Sequence, residues 1–80
     1  MTKSVALAPE QAFGLVLRQV RVQAGLSQEV VAFESGLQRN FISLLELGHR
    51  APTIKTIYKL ATALKIRPSE LIVRMESLTH

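Results

Sequence analysis

Four polar side chains fall within six positions of this 80-residue chain: Gln38, Arg39, Asn40 and Ser43. A carboxamide or a guanidinium can make paired hydrogen bonds to the edge of a nucleobase, and a hydroxyl can add a single bond. Other chemistries lack their groups. The sequence has no Asp and no Cys, which excludes disulfides and a Cys-ligated zinc site. His49 and His80 lie far apart and lack metal-ligand spacing. Ser27, Ser35, Ser43 and Ser69 have no plausible His–acid pair, because His49 reads as a loop residue and His80 is terminal. No Gly-rich phosphate loop is present. The expectation is a protein that is not an enzyme and carries no cofactor and no metal.

Charge points the same way as the polar cluster. The formal net charge is +4, but it is unevenly placed. Residues 37–67 hold Arg39, Arg50, Lys55, Lys59, Lys65 and Arg67 against the single acid Glu46, while the remaining positions carry a net charge of −1. A basic half on a small domain suits a polyanionic partner, although it also suits a plain solvated surface. The apolar stretch Val5–Ala8 is too short for a signal peptide. No run approaches the roughly 18 apolar residues of a membrane span. The chain is therefore expected to be soluble, cytoplasmic and free of membrane contact.

The elements that must present these groups read as five short helices and no strands. Pro9-Glu10 suits a helix start, and Phe13, Val16, Leu17, Val20 and Ala24 recur at three- and four-residue steps up to Gly25. Ser27 caps a second helix, made broadly apolar by Val30, Val31, Ala32 and Phe33, that ends at Gly36. A third helix starts near Gln38, with Phe41, Ile42, Leu44 and Leu45 apolar, and stops at Gly48. Thr53 caps a fourth, whose expected apolar face is Ile54, Ile57, Tyr58, Ala61 and Leu64. Pro68 opens a fifth, with Leu71, Ile72, Met75 and Leu78 on its apolar side. Phe33 and Phe41 are expected to pack, and Tyr58 to sit at the core edge. Residues 1–8 read as a flexible arm and residues 9–80 as one domain. By surface scaling, a chain this size buries roughly 63% of its unfolded surface, enough for one small core.

The second and third helices carry the sharpest pattern. Ala32, four residues before Gly36, lets two helix backbones approach, and Gly36 can take the positive φ that turns the chain. Leu37 anchors the turn, while Ile42 and Leu45 pin the third helix to the core. Gln38, Arg39, Asn40 and Ser43 are left facing outward at its N-terminal end. That is the arrangement a DNA major groove accepts.

The stretch from about Phe13 to Leu71 resembles the phage repressor/Cro-type (xenobiotic-response-element-like) helix-turn-helix family, and in size it is similar to the stand-alone controller proteins of restriction–modification systems. Arg18, Arg21, Gly25-Leu26-Ser27-Gln28, Ala32, Gly36-Leu37, Ile42-Ser43 and Leu45-Glu46-x-Gly48 carry the resemblance. So do Arg50-x-Pro52-Thr53, Leu60-Ala61-x-Ala63-Leu64 and Pro68-Ser69-Glu70-Leu71. The resemblance implies an all-α, compact five-helix repressor-like DNA-binding domain and a transcription regulator of double-stranded DNA, with a recognition helix at about 38–47. It implies base contacts from Gln38, Arg39, Asn40 and Ser43, and phosphate contacts from Gln28, Arg50 and Lys55. Gln28 would also buttress the recognition helix, and Arg21 and Glu46 would form an internal ion pair. Two positions depart from the family: Leu47 where a polar or basic residue is frequent, and Leu44 where some members read bases.

One recognition helix buries too little to be specific alone, so a homodimer reading two half-sites is expected. Leu71, Ile72, Met75 and Leu78 offer the dimer interface, with Leu71 also expected to cover the end of the core; the competing reading folds these residues back onto the first helix near Phe13 and Leu15. The alternative reading is a protein-interaction module, such as an antitoxin-type partner.

Overall fold

The computed structural model describes residues 6–79, in which five α-helices and no strand occur: α1 (Pro9–Gln23), α2 (Gln28–Ser35), α3 (Arg39–Glu46), α4 (Ile54–Leu64) and α5 (Pro68–Glu76). The helix starts follow local chemistry. Ser27 Oγ accepts the Val30 N–H at 3.1 Å, and Thr53 Oγ1 accepts the Thr56 N–H at 3.1 Å. Each satisfies a donor that a helix N-terminus otherwise leaves unpaired. At the head of α1 the Gln11 side chain reaches back to accept the Ala8 N–H at 3.1 Å. Gly36, at φ 74°, closes α2 in the left-handed conformation and reverses the chain into α3.

The five helices share one core. α1 contributes Phe13, Val16, Leu17 and Val20, and α2 contributes Val31 and Ala32. Ile42 and Leu45 come from α3, Leu60, Ala61, Ala63 and Leu64 from α4, and Leu71 from α5. α1 packs on α3 and α5, α2 on α3 and α4, and α4 on α5. The α2–α3 pair is thus gripped on both sides, which holds the turn between them in one geometry.

One close approach has no signal in hydropathy. Gly14 is buried in α1, and a Cβ built there would lie 2.3 Å from the Leu45 carbonyl oxygen and 2.7 Å from that of Glu46. The bare α-carbon lets α1 lie directly against the C-terminal turn of α3.

Several expectations need correction. The α4 face is partly rotated: Ala61 and Leu64 are buried as expected and Ile57 packs half-buried, but Thr56, Leu60 and Ala63 join them, whereas Ile54 is 72% and Tyr58 60% exposed. Apolar residues occur on more than one side of this helix, so the three- and four-residue template fits two overlapping stripes. Thr56 can be buried because its hydroxyl pairs with Thr53 Oγ1 at 2.9 Å. Phe33 does not pack; it is 85% exposed, one position beyond the core residue Ala32. Phe41 does pack, half-buried against the core.

Leu71 is also reassigned. It is fully buried within the chain's own core, so it has no surface to give a partner. Of the expected arm, residues 1–5 lie outside the described residues. Its end is tied down, with the Leu7 N–H donating to the Leu78 carbonyl at 3.0 Å.

Candidate nucleic-acid interface

The outward face of α3 is set by what the helix buries. Ile42 and Leu45 are fully buried, three residues apart, so the opposite side of the helix must face solvent. Gln38 occupies the N-cap position, where its side chain makes no capping bond, and Gln38, Arg39 and Asn40 are all exposed. Ser43, one turn further along, is half-buried. Four polar groups therefore converge at the N-terminal end of α3. Leu44 is half-buried, while Leu47, just past the helix, is 62% exposed and adds an apolar spot at its far end.

A polar linkage running beneath α3 holds it in place. Arg21 Nε donates to Glu46 Oε2 at 2.6 Å and its Nη2 to Glu46 Oε1 at 2.9 Å, while its Nη1 donates to the Leu26 carbonyl at 2.9 Å. The two side chains are only 12% and 4% exposed. A two-pronged guanidinium–carboxylate pair has little freedom to swivel. The hydrogen bonding of Arg21 to Glu46 holds its guanidinium above its ordinary pKa, opposed by burial and helped by the charges of Glu46 and Glu29. The expected Arg21–Glu46 ion pair is therefore present in the structure.

The same carboxylate carries a second branch. Gln28 Nε2 donates to Glu46 Oε1 at 3.0 Å, and Gln28 Oε1 accepts from Arg39 Nη1 at 3.3 Å. Arg39 Nε also lies 3.8 Å from Glu29 Oε2, both side chains being well exposed. Gln28, expected to touch phosphate, is thus half-buried and bonded on both sides. Arg50 and Lys55 flank the loop after α3 and are exposed, as are Lys59, Lys65 and Arg67. The positive charge concentrated in residues 37–67 therefore stands at the surface.

On α5, Ile72 and Val73 are exposed at 41% and 61%, whereas Met75, and Leu78 in the turn just past the helix rather than on it, pack half-buried against the core. Reasoning from sequence missed Gly14, and the expected buttressing of the third helix by Gln28 takes the form of bonds to Glu46 and Arg39. Gln28 and Glu46 are 18 positions apart, and nothing in their local spacing links them. Among the described residues, no group of three or more His, Asp or Glu could hold a metal ion, and no helix is long and apolar enough to cross a membrane.

This geometry defines a class: a five-helix bundle in which a short second helix, a glycine turn and an outward-facing third helix form a helix-turn-helix. A family profile described as helix-turn-helix (HTH_3) matches residues 17–71, and the chain belongs to that family. Within it, the chain is 37% identical over 73 residues to the control protein C.BamHI of Bacillus amyloliquefaciens, covering 90% of this chain and 85% of that one. It is 43% identical over 54 residues to an uncharacterized HTH-type transcriptional regulator, y4dJ, of Sinorhizobium fredii, covering 68% and 70%. Among solved structures, the restriction–modification controller protein C.AhdI of Aeromonas hydrophila superimposes with a TM-score of 0.78 at 48% identity, covering 81% of this chain and 98% of that one.

Proposed function

We propose that this helix-turn-helix protein, a DNA-binding regulator of transcription, reads one specific operator as a homodimer and governs genes in the manner of a restriction–modification controller. The observation that carries the reading is the outward display of Gln38, Arg39 and Asn40 on an α3 that Ile42, Leu45 and the Arg21–Glu46 pair hold from below. Asn can bond adenine through both groups of its amide, and Arg can bond guanine through two N–H donors. Ser43 adds a hydroxyl one turn further in. Arg50 and Lys55, exposed beside the helix, supply phosphate contacts that set register without reading sequence. The similarity to C.BamHI and C.AhdI supports the controller assignment.

A single α3 presents too few base contacts for a unique site, so two copies related by a twofold axis are required. Ile72 and Val73 of α5, with the uncovered edges of Met75 and of Leu78 just past the helix, form the surface through which they join.

Selection of binding sites from a pool of random duplexes tests the whole reading. The expected product is an inverted repeat whose half-sites lie about 34–36 Å apart, one helical turn. Recovery of a single asymmetric half-site would overturn the dimer. Failure to enrich any sequence would overturn specific recognition.

A further inference from the structure

The outward side of α3 is polar at its start and apolar at its end. Ser43, Leu44 and Leu47 stand three, four and seven positions after Asn40, so all four share one side of the helix. Ile42 and Leu45, fully buried, and the Glu46 side chain, 4% exposed, mark the opposite side. Leu47 closes the helix and keeps helical geometry: its φ and ψ are −82° and −5°, and its N–H donates to the Ser43 carbonyl at 3.0 Å. It therefore lies about 20° around the axis from Asn40 and about 10 Å further along it. Leu47 is 62% exposed, and the half-buried Leu44 lies beside it. Exposed Arg39 stands before this strip and exposed Arg50 after it. The sole acid between them in sequence, Glu46, is already paired with Arg21. The strip thus continues the face that displays Asn40, between two cations that suit a polyanion.

We propose that Leu47, flanked by Leu44, selects a pyrimidine that carries a 5-methyl group in the operator. This rests on the reading of α3 as the helix that enters the major groove. A leucine side chain makes no hydrogen bond, so contact with phosphate gives it nothing. Against the amino group of cytosine or adenine, or against O6 and N7 of guanine, it would displace water and leave a polar edge unpaired, which costs free energy. The 5-methyl of thymine is the one methyl group that the four ordinary bases show in that groove. 5-Methylcytosine shows the same group at the same ring position. Burying that methyl against Leu47 removes apolar surface of both from water. Readout thereby extends from the polar base edges within reach of Asn40 to a methyl group at a base pair further along the groove.

The test takes the duplex recovered by selection and replaces each thymidine in turn by deoxyuridine. Uracil keeps every hydrogen-bonding group of thymine and lacks only the methyl. At one position wild type should bind about four-fold more weakly for the methyl removed, the scale of one buried methyl-sized group. Leu47→Ala, a change at an exposed site that should melt with wild type, is expected to bind the thymine and uracil duplexes alike. At the same position 5-methylcytosine should bind wild type about four-fold more tightly than cytosine, again with no difference in Leu47→Ala. A gain for thymine alone keeps the proposal and limits its ligand to thymine. Uracil tolerated at every position, or a uracil loss undiminished in Leu47→Ala, would overturn it. So would a Leu47→Ala variant that loses self-association in sedimentation equilibrium while uracil stays without effect, because the side chain then serves a protein contact. Asn40→Ala separates this proposal from the reading beneath it. Lost discrimination in Asn40→Ala with uracil tolerated leaves α3 in the groove and removes only the methyl contact. Full discrimination in Asn40→Ala with uracil tolerated removes α3 from the groove, and a selection that enriches no sequence removes both.

Discussion

At the scale of single residues, the protein separates charges that hold the fold from charges left at the surface. Arg21 and Glu46 are sunk to 12% and 4% exposure and satisfy one another. Removing one partner strands the other, which costs about 3–5 kcal/mol for a buried pair. Glu46→Ala is expected near the lower end, about 3 kcal/mol, because Arg21 keeps its bond to the Leu26 carbonyl. In a domain of this size that lowers the melting temperature by more than about 10 °C. A calorimetric scan matching wild type would show that the pair contributes nothing. Arg50, by contrast, is exposed. As a phosphate contact its loss should weaken binding to every duplex alike, and should reduce the log–log salt slope by about 0.9. Titrations of Arg50→Ala across a salt series would place it in solvent if the slope stayed unchanged.

Each helix is positioned by a few backbone features that side-chain hydropathy does not report. The contact between α1 and α3 depends on the missing side chain of Gly14. A methyl group there meets two backbone carbonyl oxygens, at 2.3 and 2.7 Å. Neither can step aside without moving α3. Gly14→Ala should therefore cost upwards of about 2 kcal/mol despite its better helix propensity. It should also displace the Arg21–Glu46 pair, visible as shifted Arg21 Nε–H and Glu46 resonances. Equal stability of the variant would mean that the helices separate freely. The end of α4 offers the reverse case. Lys65 holds φ 59°, the one described non-glycine residue with positive φ. Lys65→Gly relieves the Cβ–carbonyl crowding of that conformation and should stabilise the protein by about 1 kcal/mol. Chemical denaturation would refute this if the midpoint fell or stayed where it is.

For the whole molecule, one exposed apolar surface is the one that α5 presents through Ile72 and Val73. Leu71 closes the core and Met75 and Leu78 lean on it, so an Asp at any of these would test folding before it tested assembly. Ile72, 41% exposed, is the cleaner probe. Ile72→Asp should give a helical monomer whose operator affinity falls steeply, because each copy then binds its half-site alone. Sedimentation equilibrium on the folded variant decides this, and an undiminished dimer would move the interface elsewhere. Ile54 and Tyr58, exposed together on α4 at 72% and 60%, are another apolar surface available to it.

How much of this was legible beforehand depends on the range of the interaction that decides it. Five helices, their caps at Ser27 and Thr53 and the turn at Gly36 could be read because each rests on neighbours within a few residues. The outward display of Gln38, Arg39 and Asn40 could be read too, since burying Ile42 and Leu45 leaves one helix face open. The Arg21–Glu46 pair came only from family resemblance, for no local rule joins residues 25 positions apart. The α4 face expected from Ile54 and Tyr58 was only partly the buried one, because two overlapping stripes of that helix are apolar enough. The packing of α2 and α5 chose the one through Thr56 and Leu60. The exposure of Phe33, the demand for a bare α-carbon at Gly14 and the polarity passed from Glu46 through Gln28 to Arg39 were decided by the tertiary structure alone. Each depends on what lies across a contact between distant segments, and that is settled only when the helices close on one another.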